Sequence, residues 1–154
     1  MTIKDTTNLN QAYGVTVSPC GTNVYAVSAG ANSVVHWDRD MDTGELTNQV
    51  NLIDTANLNF PLNIIISPDG KNAYVACYNG NAITYYNRDT ETGALTYQDS
   101  IVDATNLASM REAVVAPDGK HVYAVAYRSN SIVYWNRNTD TGVSASFDPH
   151  FQWC

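Results

Sequence analysis

The chain has 154 residues, 44% of them hydrophobic, and a formal net charge of −7. That is enough length and apolar content for one cored domain, not a disordered chain. The acidic balance argues against a nucleic-acid face and against adhesion to anionic membranes, since both need clustered Lys and Arg.

No apolar run approaches the roughly 20 residues a membrane span needs. The opening Met1–Thr6 is polar where a secretory signal would be apolar, so a cytoplasmic protein is expected. Cys20, Cys77 and Cys154 stand at unrelated spacings, which fits neither a disulfide framework nor a metal motif. No metal and no cofactor is expected.

In chain order, Thr2-Ile3-Lys4-Asp5 aligns with Asn51-Leu52-Ile53-Asp54, so residues 1–5 read as the end of a fourth strand. Three units follow, 6–54, 55–103 and 104–148, and then an irregular tail, 149–154. The units keep one spacing of 49 residues. Asn8-Leu9 returns as Asn57-Leu58 and Asn106-Leu107, and Thr43-Gly44 returns as Thr92-Gly93 and Thr141-Gly142. Ser18-Pro19-Cys20-Gly21 returns as Ser67-Pro68-Asp69-Gly70 and Ala116-Pro117-Asp118-Gly119.

In the second unit, strands are predicted at Asn63–Ser67, Ala73–Cys77, Ala82–Asn87 and Leu95–Val102 from their alternation and β-branched or aromatic content. A Pro-Asp-Gly turn joins the first two. Four antiparallel strands in a repeat of this length define a β-propeller blade. The first strand of each unit, rich in Val and Ile, is expected innermost and buried on both faces. The fold class is all-β: three four-stranded antiparallel propeller blades within a single partial propeller.

The run Ser67-Pro68-Asp69-Gly70-Lys71-Asn72-Ala73-Tyr74-Val75-Ala76, with Asn87-Arg88-Asp89 and Thr92-Gly93-Ala94-Leu95-Thr96, resembles the bacterial lactonase-like β-propellers. That group includes the YVTN-type repeats, the 6-phosphogluconolactonases and the 3-carboxymuconate cyclases. The resemblance runs from about Thr6 to Gly142 and rests on turns and strands. It implies a ring, commonly of seven blades in one chain, with acidic, basic and imidazole groups at its mouth. No motif here carries those groups over residue by residue.

Candidate sites follow from where loops converge on the ring axis. Asn63, Tyr78, Arg111, Glu112, Tyr127 and Arg128 fall on one such face. Arg111 and Glu112 stand out because their counterparts are the uncharged Leu62-Asn63 and Tyr13-Gly14. A charge pair there suits a polar small-molecule ligand or proton transfer. Asp38–Glu45 imitates the start of a calcium loop but places Thr43 and Gln49 where that loop needs Gly and Glu, so it reads as a hairpin connection. Arg39, Arg88 and Arg137 recur beside acidic turns and read as structural arginines pairing with a nearby carboxylate or carbonyl. Tyr25, Tyr74 and Tyr123 read as packing between blades. His36 takes an aromatic packing position, and His121 an exposed strand start.

Three blades leave two blade faces uncovered, which predicts self-association into a homodimer. Blade 1 of each copy would lie against blade 3 of the other in a six-bladed ring of identical subunits. Residues 1–5 would complete the partner's blade 3, whose own fourth strand begins at Val143–Asp148 and is interrupted at Pro149. The leading functional expectation is a non-enzymatic binding or scaffold propeller. The alternative is a lactone-type hydrolase or cyclase with its site at the mouth of the completed ring.

Overall fold

The computed structural model describes residues 2–142, and they contain eleven strands and no helix. In chain order these are β1 (Ala12–Val17), β2 (Asn23–Ser28), β3 (Ser33–Arg39), β4 (Leu46–Ile53), β5 (Pro61–Ile66), β6 (Asn72–Cys77), β7 (Ala82–Arg88), β8 (Leu95–Val102), β9 (Met110–Val115), β10 (His121–Ala126) and β11 (Ser131–Asn136). The sheets are β1-β2-β3-β4, β5-β6-β7-β8 and β9-β10-β11, each an antiparallel meander. The strands expected in the second unit fall within a residue or two of those observed. A fourth strand at Val143–Asp148 lies outside the described residues.

Each blade is closed by the same local chemistry. The turn after the first strand puts Gly21, Gly70 and Gly119 at φ of 80°, 75° and 73°, where a side chain would be strained. Their N–H groups donate to the carbonyls of Ser18, Ser67 and Ala116, each at 2.8 Å. The unit boundaries are Asx turns. Asp5, Asp54 and Asp103 each accept from the backbone N–H three residues on, at Asn8, Asn57 and Asn106. Thr2–Asp5 forms no strand within this one chain.

The blades pack face to face, with β1, β5 and β9 neighbours in succession at the inner edge. Tyr25, Val27 and Val34 of blade 1 meet Leu58, Ile64 and Val75 of blade 2. One repeat later, Tyr74, Ala76 and Ile83 meet Leu107, Ala113 and Val122.

The expectation that the first strand is the most buried is corrected. All six residues of β6 are buried, whereas β5 alternates buried and half-buried and β1 is largely exposed. The second strand lies between two partners of its own sheet and two sheets. The first strand has a free edge toward the axis. The polar fourth strands, β4 and β8, form the exposed rim as expected.

Candidate functional site

Two sets of repeated polar residues emerge, one in the seams between blades and one at the mouth. In the seams, an arginine at the end of a third strand reaches back to the preceding blade. Arg88 donates from Nε to the Tyr25 hydroxyl at 2.6 Å, from Nη2 to Asn23 Oδ1 at 2.6 Å and from Nη1 to the Gly70 carbonyl at 3.0 Å. Arg137 repeats this with the Tyr74 hydroxyl at 2.9 Å, Asn72 Oδ1 at 2.6 Å and the Gly119 carbonyl at 3.0 Å. It adds an ion pair to Asp69 at 2.7 Å. The Tyr25 hydroxyl in turn donates to the Gly93 carbonyl at 2.7 Å, and that of Tyr74 to the Gly142 carbonyl.

These arginines are therefore structural, as the sequence suggested. Their chief partners, however, lie more than sixty residues away in another blade. Burial pushes both phenols up, Tyr74 to about 12, so they stay protonated and can donate. His36 packs against Tyr25 with ring centres 5.3 Å apart, in the place where Tyr85 stacks on Tyr74 at 6.4 Å. Burial lowers its pKa, which keeps it a neutral packing ring. His121 is half-buried beside Tyr123 at 6.3 Å, not a free exposed residue.

The mouth set is built by a tight entry into each first strand. Gln11, Phe60 and Ser109 adopt φ of 55°, 59° and 57°, a left-handed conformation uncommon for non-glycine residues. Asn32 Oδ1 fixes it by accepting from Phe60 N–H at 2.9 Å, and Asn81 Oδ1 by accepting from Ser109 N–H at 2.8 Å. Two residues further on stand Tyr13, Leu62 and Arg111. The chain leaving each second strand returns beside them. The Tyr78 N–H donates to the Phe60 carbonyl at 3.0 Å and the Tyr127 N–H to the Ser109 carbonyl at 3.1 Å.

The Arg111 guanidinium consequently lies between two rings, 5.0 Å from the centre of Tyr78 and 5.4 Å from that of Tyr127. Phe60 continues the row, 6.1 Å from both Tyr78 and Tyr13. A stripe of aromatic rings and one cation thus crosses all three blades. Among the described residues no carboxylate or carbonyl engages the Arg111 guanidinium. Its donors remain free for a planar anion, carboxylate or phosphate, which it can grip in two-point fashion.

Of the residues singled out from sequence, the fold brings together Arg111, Tyr78 and Tyr127. Arg128 follows Tyr127 on the same face, exposed. Asn63 is used elsewhere, because its Oδ1 accepts from the Ala113 N–H across the seam at 3.1 Å. Glu112 occupies the same position on blade 3 and is exposed. Tyr13 and Phe60 were not singled out from the sequence, because their alignment into a stripe depends on the twist between blades.

The Asp38–Glu45 segment is a turn. Asp40 accepts from the N–H groups of Asp42 and Thr43, which holds its carboxyl below the usual range. Among the described residues no cluster of His, Cys, Asp and Glu is arranged to hold a metal ion. Cys77 is buried, its thiol pushed up to about 11 and unreactive.

Antiparallel meander sheets of four, four and, among the described residues, three strands, packed face to face with a polar mouth at the inner edge, define a segment of a β-propeller. A family model described as "Lactonase, 7-bladed beta-propeller" matches residues 1–110, and the chain belongs to that family.

Among solved structures, a candidate 6-phosphogluconolactonase from Bacteroides uniformis superposes with a TM-score of 0.75 at 21% identity, over 86% of this chain and 38% of its own. A protein of unknown function from Desulfotomaculum acetoxidans gives 0.73 at 25% identity, over 87% and 40%. The periplasmic gluconolactonase of Pseudomonas aeruginosa gives 0.69 at 17%, over 83% and 36%. The chain therefore spans well under half the length of these structures. No curated protein matches the sequence. No helix among the described residues is long and apolar enough to cross a membrane.

Proposed function

We propose that these blades form part of a lactonase-type propeller whose mouth binds an anionic sugar acid or its lactone. The lactone reading replaces the scaffold reading as the leading one. The family match supports it, as do relatives described as gluconolactonases. The observation that carries it is Arg111, a guanidinium held between Tyr78 and Tyr127 at the mouth with its donors unspent.

An exposed guanidinium held in one orientation by two rings, with its hydrogen-bond donors unspent, suits recognition of a phosphate or carboxylate. The stripe of Tyr13, Phe60 and Tyr78 gives the less polar face of a sugar ring a surface to lie on. The reading assigns Arg111 to the ligand's anionic group and assigns no catalytic residue.

The test is calorimetric titration with 6-phosphogluconate and with gluconate. The phosphorylated acid should bind more tightly, and Arg111→Ala should weaken it at least tenfold, about 1.4 kcal/mol. Arg111→Lys should recover only part of the loss. Absence of binding at millimolar ligand, or binding indifferent to Arg111→Ala, would refute the reading.

A further inference from the structure

We propose that Asn81 is the positioning residue of the Arg111 site: from blade 2 it clamps the entry to β9, so that a bulge there presents the guanidinium between its two rings. The inference rests on the anion-binding reading for its ligand. Its geometry rests only on the interior seam between blades 2 and 3.

Arg111 is presented by a break in strand pairing. Met110 pairs with Ala126 and Glu112 with Val125, so Arg111 is an extra residue without a partner on β10. A bulged residue leaves the alternation of its strand, and its side chain is re-aimed. Met110 is fully buried, which anchors the near side of the bulge. Its direction therefore turns on the residue that leads into it, Ser109. With φ of 57°, Ser109 holds a backbone that an L side chain disfavours and glycine does not.

Asn81 supplies the bias. Its Oδ1 accepts from the Ser109 N–H at 2.8 Å, across the seam. Ser109 is buried, so that N–H needs a partner within the protein. The Ser109 carbonyl accepts in turn from the Tyr127 N–H at 3.1 Å, which sets one ring of the slot. Tyr78, the other ring, lies on the same β6–β7 turn as Asn81. One turn of blade 2 thus provides a wall of the slot and the clamp that aims the cation into it.

The seam between blades 1 and 2 repeats the device with another side chain at its tip. Asn32 Oδ1 accepts from the N–H of Phe60, whose φ is 59°. The bulge there falls at Leu62, between the pairs Pro61–Cys77 and Asn63–Ala76. Clamp and bulge belong to the repeat, and the residue at the bulge is what differs. Asn81 therefore acts on binding through Arg111.

The test begins with Asn81→Gly, which removes the amide and suits the left-handed backbone, φ of 49°, that Asn81 itself holds. In wild type the Arg111 Nε–H proton should resonate upfield, under the ring currents of Tyr78 and Tyr127. Asn81→Gly should move it to the position of a free arginine. Affinity for 6-phosphogluconate by calorimetry should fall about tenfold, as fewer chains hold the slot assembled. Adding Ser109→Gly should return both readouts, because glycine takes this backbone without a clamp. A merely structural loss would not be repaired in that way.

An Arg111 signal unmoved by Asn81→Gly overturns the proposal. So does a wild-type affinity that Asn81→Gly leaves unchanged, or a double variant, folded by circular dichroism, that does not regain the signal. The double variant decides the matter even where Asn81→Gly alone loses its fold. A wild type that binds no 6-phosphogluconate refutes the anion-binding reading, and the Arg111 resonance alone then upholds or overturns the clamp.

Discussion

The seam between blades 1 and 2 and the seam between blades 2 and 3 are written by the same repeat and solved with different charge chemistry. Both bury an arginine against a tyrosine hydroxyl, an asparagine and a glycine carbonyl. Only the second adds a carboxylate, Asp69, both of whose oxygens accept from Arg137 Nη2, at 2.9 and 2.7 Å. The first has Cys20 at that position. A buried guanidinium is thus held adequately by neutral acceptors when their geometry is fixed, and the ion pair is an addition. Cys20 hydrogen-bonds the Ser18 and Thr22 hydroxyls, at 3.3 and 3.0 Å, and not Arg88; those bonds, with the charge of Arg88 contributing at a distance, bring its thiol down to about 6.

The largest effect should come from removing the arginines. Arg137→Met leaves three buried acceptors and the part-exposed Asp69 without their shared donor and should cost about 2–4 kcal/mol in thermal melts. Arg88→Met strands only neutral groups and should cost about 1–3 kcal/mol. Equal losses would erase the distinction between the seams.

Next in size is Asp69→Asn, which converts the second seam to neutral acceptors and should cost about 1 kcal/mol at pH 7. Its pH dependence is the sharper readout. Burial raises the Asp69 carboxyl, but hydrogen bonds from Ser67, Arg137 and the Lys71 N–H outweigh it and leave it lowered. A lowered folded value means that its stabilisation is complete above the ordinary carboxylate range and is lost as pH falls through the folded value. Asp69→Asn should therefore flatten the acid limb of a stability profile. An unchanged limb would show that Asp69 contributes no charge-dependent stability.

Smaller still is Cys20. Its lowered thiol adds stability that grows from about pH 6 to the ordinary thiol range and vanishes as pH falls through about 6. Cys20→Ser should remove that slope, and Cys20→Asp should keep the pH 8 stability within about 1 kcal/mol, the side chain being exposed. A slope that survives in Cys20→Ser would assign it to another group. The smallest change should be Gln98→Asp on the exposed rim strand β8, below about 0.5 kcal/mol. A larger loss there would mean that the rim carries energy the seams are taken to hold.

Architecture was legible because the repeat is. Ser67-Pro68-Asp69-Gly70 names its own turn, and Ala82–Asn87 its own strand, from neighbours in sequence. What escaped depends on the twist from one blade to the next. Arg88 looked local because Asp89 follows it, yet its partners are Asn23 and Tyr25. Asn63 looked like a mouth residue and is held by Ala113, fifty positions on. Ile65 and its neighbours looked like the deepest strand because they are the most apolar. They have one free edge, so depth passed to β6, whose Ala, Tyr and Cys are less apolar but enclosed. For Arg111, charge asymmetry between repeats pointed to the position. The two tyrosines that hold it came from reading which loops share a face.

The reach of each arm, always from a later blade to an earlier one, has a consequence for how the molecule comes apart. Every interior blade is gripped twice, once by its own arginine reaching back and once by its successor's. Stability should then behave as in a row of coupled units with nearest-neighbour terms, each seam holding both of the blades it joins. A tandem duplication inherits compatible ends without further change, because any copy placed after another brings the arm that its predecessor is already shaped to receive.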